Sequence, residues 1–137
     1  MKVNIEFENT DHDGEVTRST VFAIMEKRAH DYRFVYVEDL SGDGNMTRST
    51  LIVSKHGLRI IRQGELNTDF MYEPRLVHNT TYATPYGKFP VSIETKEYSY
   101  TEGGDNILSA DVKYYLSMNG DEPLNMRIKI KVFVCGN

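Results

Sequence analysis

Apolar and polar residues alternate along most of this chain, and turn-forming residues interrupt the alternation at short, regular intervals. Residues 2 to 9 place Val3, Ile5 and Phe7 on one face and Lys2, Asn4, Glu6 and Glu8 on the other, the period of a strand buried on one side only. The pattern recurs in DFMYE (69–73), KFPVSIE (88–94), ILSADVKYYLSM (107–118) and MRIKIKVFV (126–134). In the last of these, Met126, Ile128, Ile130, Val132 and Val134 face inward while Arg127, Lys129 and Lys131 face water. Such one-sided burial marks antiparallel sheets.

Turn signals separate the runs: Asp13-Gly14, His30-Asp31, SGDGN (41–45), KHG (55–57), Gly64, Glu73-Pro74, TPYG (84–87), GGDN (103–106) and Asn119-Gly120. Each carries residues suited to tight or left-handed backbone. Nine turns delimit about ten strands, and no helical period is sustained. TVFAIMEKRA (20–29) is the one stretch with helix-forming composition, but its neighbours favour a strand. Ten strands in an open sheet would leave two long edges, so closure is expected. The expected fold is therefore all-β: a single antiparallel up-and-down barrel spanning residues 1–137 as one domain. A chain of 137 residues can bury a core without disulfides or a structural metal.

Within TPYG, Pro85 presets φ at the second turn position, and Gly87 can adopt the left-handed backbone that finishes a type I turn with a bulge. The motif is expected to turn the chain, with Tyr86 at its tip. Alternation breaks once. Phe89, Val91 and Ile93 share a face, yet continuing that register sends Tyr98 and Tyr100 to the opposite side with Lys96. A bulge near Thr95 would return both tyrosines to the interior.

Sixteen basic against twenty acidic residues give a net charge of -4. That field repels phosphate backbones, so nucleic acid is not an expected partner. The lone Cys135 cannot close an intramolecular bridge and reads as a small apolar residue at a strand end beside Gly136. MKVNIEFEN opens as a strand with no apolar export region, and no uncharged apolar run is long enough to span a bilayer. A cytoplasmic location is expected.

Residues 39–50, DLSGDGNMTRST, set Asp39, Ser41, Asp43 and Asn45 at the first, third, fifth and seventh positions of a calcium loop, with Gly44 at the sixth. Thr50 stands where a bidentate glutamate should close the sphere, so a plain hairpin loop is expected. His12, His30, His56 and His78 are dispersed and lack the spacing of a zinc ligand set. Asp11, His12 and Asp13 adjoin, but neighbours in an extended chain point apart. No nucleophile elbow or phosphate-cradling loop appears. Neither catalysis, a metal nor a cofactor is expected.

What remains is the barrel's inner face, apolar and rich in tyrosine. Arg62 shares a strand face with Leu58 and Ile60 and is expected either to point inward, toward a carboxylate or an anionic ligand, or to snorkel out of the mouth. Arg62, Tyr72 and Tyr114 form the candidate ligand-binding set. The expected function is binding of a small amphipathic molecule inside the barrel. The alternative is a barrel filled with side chains that works through surface contacts, as an interaction module or a homodimer.

IIRQGEL (60–66), DFMYE (69–73), YATPYGKFPVSI (82–93) and LSADVKYYLSMNGD (108–121) together resemble the YwiB-like family of uncharacterised bacterial proteins across nearly the whole chain. TPYG following the RxGE-type segment is the strongest part of the likeness. The N-terminal strands match in pattern only, and SGDGN departs from the family. The resemblance implies a calycin-like barrel, related to those of lipocalins and fatty-acid-binding proteins. It implies no site residues.

Overall fold

The ten β-rich runs become ten strands in the computed structural model of the chain, which describes residues 1–40 and 42–135. They are β1 (Lys2–Thr10), β2 (Val16–Lys27), β3 (Tyr32–Glu38), β4 (Thr47–Ser54) and β5 (Gly57–Gln63), followed by β6 (Thr68–Tyr72), β7 (Val77–Thr84), β8 (Gly87–Glu102), β9 (Leu108–Met118) and β10 (Leu124–Val134). Among the described residues the nine turn signals fall between these strands or at their ends, with Gly57, Thr84 and Gly87 as terminal strand residues. TVFAIMEKRA lies mostly within β2, its β-branched and aromatic residues paired against β1. No described residue is helical.

Hydrogen bonding orders the strands β6-β5-β4-β3-β2-β1-β10-β9-β8-β7, with each pair antiparallel. Strands consecutive in sequence are sheet neighbours except β6 and β7, and the β1/β10 pair joins the two ends of the chain. The sheet's edge strands, β6 and β7, come together in a seam. Asn67 and Ala83 exchange backbone hydrogen bonds of 2.9 and 3.0 Å, and His78 Nε2 donates to the Asp69 carbonyl at 2.9 Å. Phe70 and Tyr82 stack across the same seam with ring centroids 6.2 Å apart. The result is a nearly closed up-and-down barrel.

Its core is the set of inward residues that alternation selects, with Val3, Ile5, Phe34, Leu51, Val53, Ile93, Leu108, Val112 and Val132 fully buried. Each such aliphatic or aromatic side chain contributes about 1.5–3 kcal/mol by leaving water. The expected bulge is present. Thr95 pairs with Tyr114 and Glu97 with Lys113, leaving Lys96 as the extra residue, so Tyr98 and Tyr100 return to the inner face opposite Val112 and Ala110. Tyr98 then reaches far enough to donate its hydroxyl to the Ser54 carbonyl at 2.5 Å, which ties β8 to the end of β4.

TPYG is a tight hairpin turn with Tyr86 94% exposed at its tip. Thr84 and Gly87 pair directly across it, so the loop is Pro85-Tyr86 alone and the bulge expected there is absent. Thr84 Oγ1 accepts from the Tyr86 amide at 3.1 Å, and Gly87 has a φ of 137° that a side chain would strain.

Candidate functional site

Strands β3, β4, β5 and β6 change character at the same level of the barrel. Inward positions run Phe34 then Tyr36 and Glu38 on β3, Leu51 then Ser49 and Thr47 on β4, Ile60 then Arg62 on β5, and Phe70 then Thr68 on β6. The register aligns these changes. Tyr36 pairs with Ser49, Ser49 with Arg62, and Arg62 with Thr68, while Glu38 pairs with Thr47 one tier beyond. An apolar tier therefore gives way to a continuous polar one toward the β3/β4 and β5/β6 loops.

Arg62 points into this tier and meets a carboxylate there. Its Nε lies 3.5 Å from Glu38 Oε2, with side chains 22% and 15% exposed. Ser49 Oγ donates to the same Glu38 oxygen at 2.8 Å. Among the described residues, five buried polar side-chain atoms find no hydrogen-bond partner in the protein: Tyr36 OH, Thr47 Oγ1, Arg62 Nε, Thr68 Oγ1 and Thr95 Oγ1. The Arg62 contact is thus an ion pair without hydrogen-bond geometry. Four of the five atoms belong to β3, β4, β5 and β6; Thr95 stands on β8 beside its cross-strand partner Tyr114.

Tyr72 and Tyr114 meet edge-to-face across the interior, ring centroids 4.8 Å apart. Burial first, and the neighbouring phenol second, push the Tyr72 hydroxyl well above the usual tyrosine range, while Arg62 draws it back. Tyr114 is raised by burial and is likewise opposed by Arg62. Burial also raises Tyr36, with Glu38 adding to the shift and Arg62 subtracting from it. Of the residues singled out from the sequence, Tyr72 and Tyr114 are brought together, with Tyr72 at the level of Leu58, four residues along β5 from the polar tier that holds Arg62. Glu38, Tyr36, Ser49, Thr47 and Thr68 complete that tier. Parity along each strand marks these five as inward, but only the lateral register shows that their polar positions coincide.

Two openings approach the interior. A groove of about 570 Å³ runs along the β6/β7 seam and is lined in part by Arg62, Thr68, Asn67 and Ala83. A cleft of about 400 Å³ lies at the opposite end between the β2/β3 and β4/β5 turns, with Tyr32 and Tyr100 in its wall. Tyr100 OH donates to Glu102 there at 2.9 Å.

In the SGDGN loop the carboxylates cap backbone groups. Asp39 accepts from the amides of Gly42 at 2.8 Å and Gly44 at 3.0 Å, and Asp43 accepts from Asn45 at 2.9 Å; Ser41 lies outside the described residues. Asp11, His12 and Asp13 do cluster, their ligand atoms within 4.8 Å of one another, because the chain turns there and strand alternation does not apply. Asp11 Oδ1 is engaged by the amides of Asp13 and Glu15, both at 2.9 Å, a turn-forming role. Cys135 is half-buried at the end of β10; Gly136 lies outside the described residues.

A family model described as a domain of unknown function, DUF1934, matches residues 1–130. The chain belongs to this family. Among solved structures it is similar to the crystal structure of the ywiB protein from Bacillus subtilis, at 15% identity and a TM-score of 0.67, covering 95% of this chain and 89% of that one. That similarity concerns the fold and supports the YwiB-like resemblance read from TPYG and the segments around it. No curated protein matches the DUF1934 chain. Among the described residues no helix is long and apolar enough to cross a membrane.

Proposed function

We propose that this protein binds a small polar molecule in the polar tier of its barrel, between Arg62 and Glu38. The observation that carries the reading is the set of buried polar atoms without a hydrogen-bond partner in that tier: Arg62 Nε itself, with Tyr36 OH, Thr47 Oγ1 and Thr68 Oγ1 on the neighbouring strands. An unsatisfied buried polar group costs about 1–3 kcal/mol, and a ligand that supplied the missing partners would recover much of that cost. Because Glu38 already faces Arg62, the best-matched ligand carries both a donor for the carboxylate and an acceptor for the guanidinium and the hydroxyls. That refines the anionic amphiphile expected from Arg62 alone. The apolar tier, closely filled by Phe34, Leu51, Ile60 and their neighbours, favours a compact ligand over a long alkyl chain. The seam groove is lined in part by Arg62 and Thr68. Ligand binding inside related calycin-type barrels is an analogy of fold, and a cytoplasmic setting is consistent with the single cysteine.

Native mass spectrometry of protein purified from its own host tests the proposal. A retained small molecule that disappears in Thr68→Val and Glu38→Gln variants supports it. Bare 15.8 kDa protein, together with no chemical-shift change at Thr68 or Arg62 across a panel of amino acids, polyols and nucleosides, would overturn it.

A further inference from the structure

β2 has a partner along only part of one side. Residues 16–24 pair with β1, but β3 covers only residues 24–27, and among the described residues no strand pairs with 16–23 on that flank. The backbone directions follow from the ends of the strand. Met25 donates to the Met1 carbonyl at 2.8 Å, so the amides and carbonyls of Thr17, Ser19, Val21 and Ala23 turn toward β1 by alternation. Those of Val16, Arg18, Thr20 and Phe22 turn the other way, onto the open edge. No described residue takes them.

Natural edge strands are usually short, bulged, or guarded by proline or lysine. Residues 16–22, VTRSTVF, have no proline, lysine or bulge, their one charge, Arg18, is paired with Glu8 of the same chain, and they are mostly β-branched. All but Val21 are exposed. A free edge of this kind accepts another extended chain, and its own side chains indicate which one.

We propose that this edge pairs with the same edge of a second copy, antiparallel about a two-fold axis through Ser19. In that register Val16 faces Phe22 of the other copy and Arg18 faces Thr20, twice each by symmetry. Val16 and Phe22, 39% and 52% exposed in the single chain, cover one another. The pairing uses the entire free run and stops short of Ile24, whose edge Val35 already occupies. About eight backbone hydrogen bonds form. The neighbouring registers fail: an axis through Thr20 drives Val16 against the occupied Ile24, and an axis through Arg18 sets the two arginines opposite each other, which is destabilising. Arg18 is meanwhile held by Glu8 of its own chain at 3.4 Å.

Ser19 then stands opposite its own copy as a non-hydrogen-bonded pair, with Cα atoms about 4.5 Å apart, inside the range a disulfide bridges. In a Cys135→Ser background, Ser19→Cys is expected to form a covalent dimer on mild oxidation, and Thr17→Cys is not. Wild-type protein is expected to sediment at twice 15.8 kDa. Thr20→Pro removes an amide that faces only the open edge, so it is expected to keep the circular dichroism of the wild type and to weaken the dimer by about tenfold or more. Wild-type protein that stays monomeric at all concentrations, or a dimer in which Ser19→Cys does not cross-link, overturns the proposal. The ligand site stands or falls separately, since none of its residues lies on β2.

Discussion

Arg62 and Glu38 sit two strands apart in the sheet and 24 positions apart in sequence, yet they face each other inside the barrel with Nε and Oε2 at 3.5 Å. β4 lies between them and contributes Ser49, which donates to the same carboxylate. The arginine, expected from the sequence either to face a carboxylate or an anionic ligand inside or to snorkel out of the mouth, is therefore one half of a neutral pair. Each half depends on the other.

Removing one partner is expected to cost more than removing both. Arg62→Met leaves a carboxylate only 15% exposed, and the loss is expected at roughly 1–3 kcal/mol, below the value for a fully buried pair because some solvent reaches Glu38. Glu38→Gln with Arg62→Met should recover most of it. Urea unfolding of the two single variants and the double variant gives the coupling energy. Strict additivity would show that the pair does not interact.

Gly57 tests the β5/β6 contact. A Cβ built there would lie within van der Waals overlap of the Tyr72 carbonyl, a backbone atom that cannot rotate away. Gly57→Ala is expected to lose about 1–3 kcal/mol and to shift the amide resonances of Tyr72 and Glu73. Unchanged stability would mean that β6 yields at no cost.

The inner tyrosines make the barrel sensitive to alkali. Burial raises Tyr36, Tyr72 and Tyr98 above the ordinary value of 10.0, so the folded state keeps protons that the unfolded state releases. Stability contributed by these groups is complete below pH about 10 and is lost as pH rises beyond it. Absorbance at 295 nm is expected to show tyrosine ionisation above pH about 10 in a phase that coincides with unfolding. A single phase at pH about 10 with the fold intact would contradict this.

Acid acts on the outer face with the opposite sign. Hydrogen bonds from Arg59 and Arg127 hold Asp69 and Asp111 below the usual carboxylate value of 3.8, against the opposing effect of burial. Their contribution is present above the unfolded pKa and disappears as pH falls through the depressed one. Both pairs are partly exposed, so Asp111→Asn is expected to cost only about 0.5–1 kcal/mol at pH 7. The difference from wild type should shrink as pH falls below the ordinary carboxylate value of 3.8 and disappear in stronger acid. A penalty independent of pH would assign the effect to packing.

Much of this architecture was legible because a strand's side-chain period is two. Alternation and turn residues marked about ten strands and the inner faces of the clearest of them, left Arg62 either inward or snorkelling out of the mouth, and set a bulge near Thr95 from the parity conflict between Ile93 and Tyr98. TPYG and the segments around it pointed to the family. Periodicity reports which face a residue occupies, but not which residue lies beside it on the next strand. Closure of the sheet, the lateral register and the splaying of β2 from β3 depend on contacts between segments distant in the chain. Only the tertiary structure could therefore pair Arg62 with Glu38, bring Tyr72 against Tyr114, align four separate polar positions into one tier, and leave residues 16–22 with an open edge.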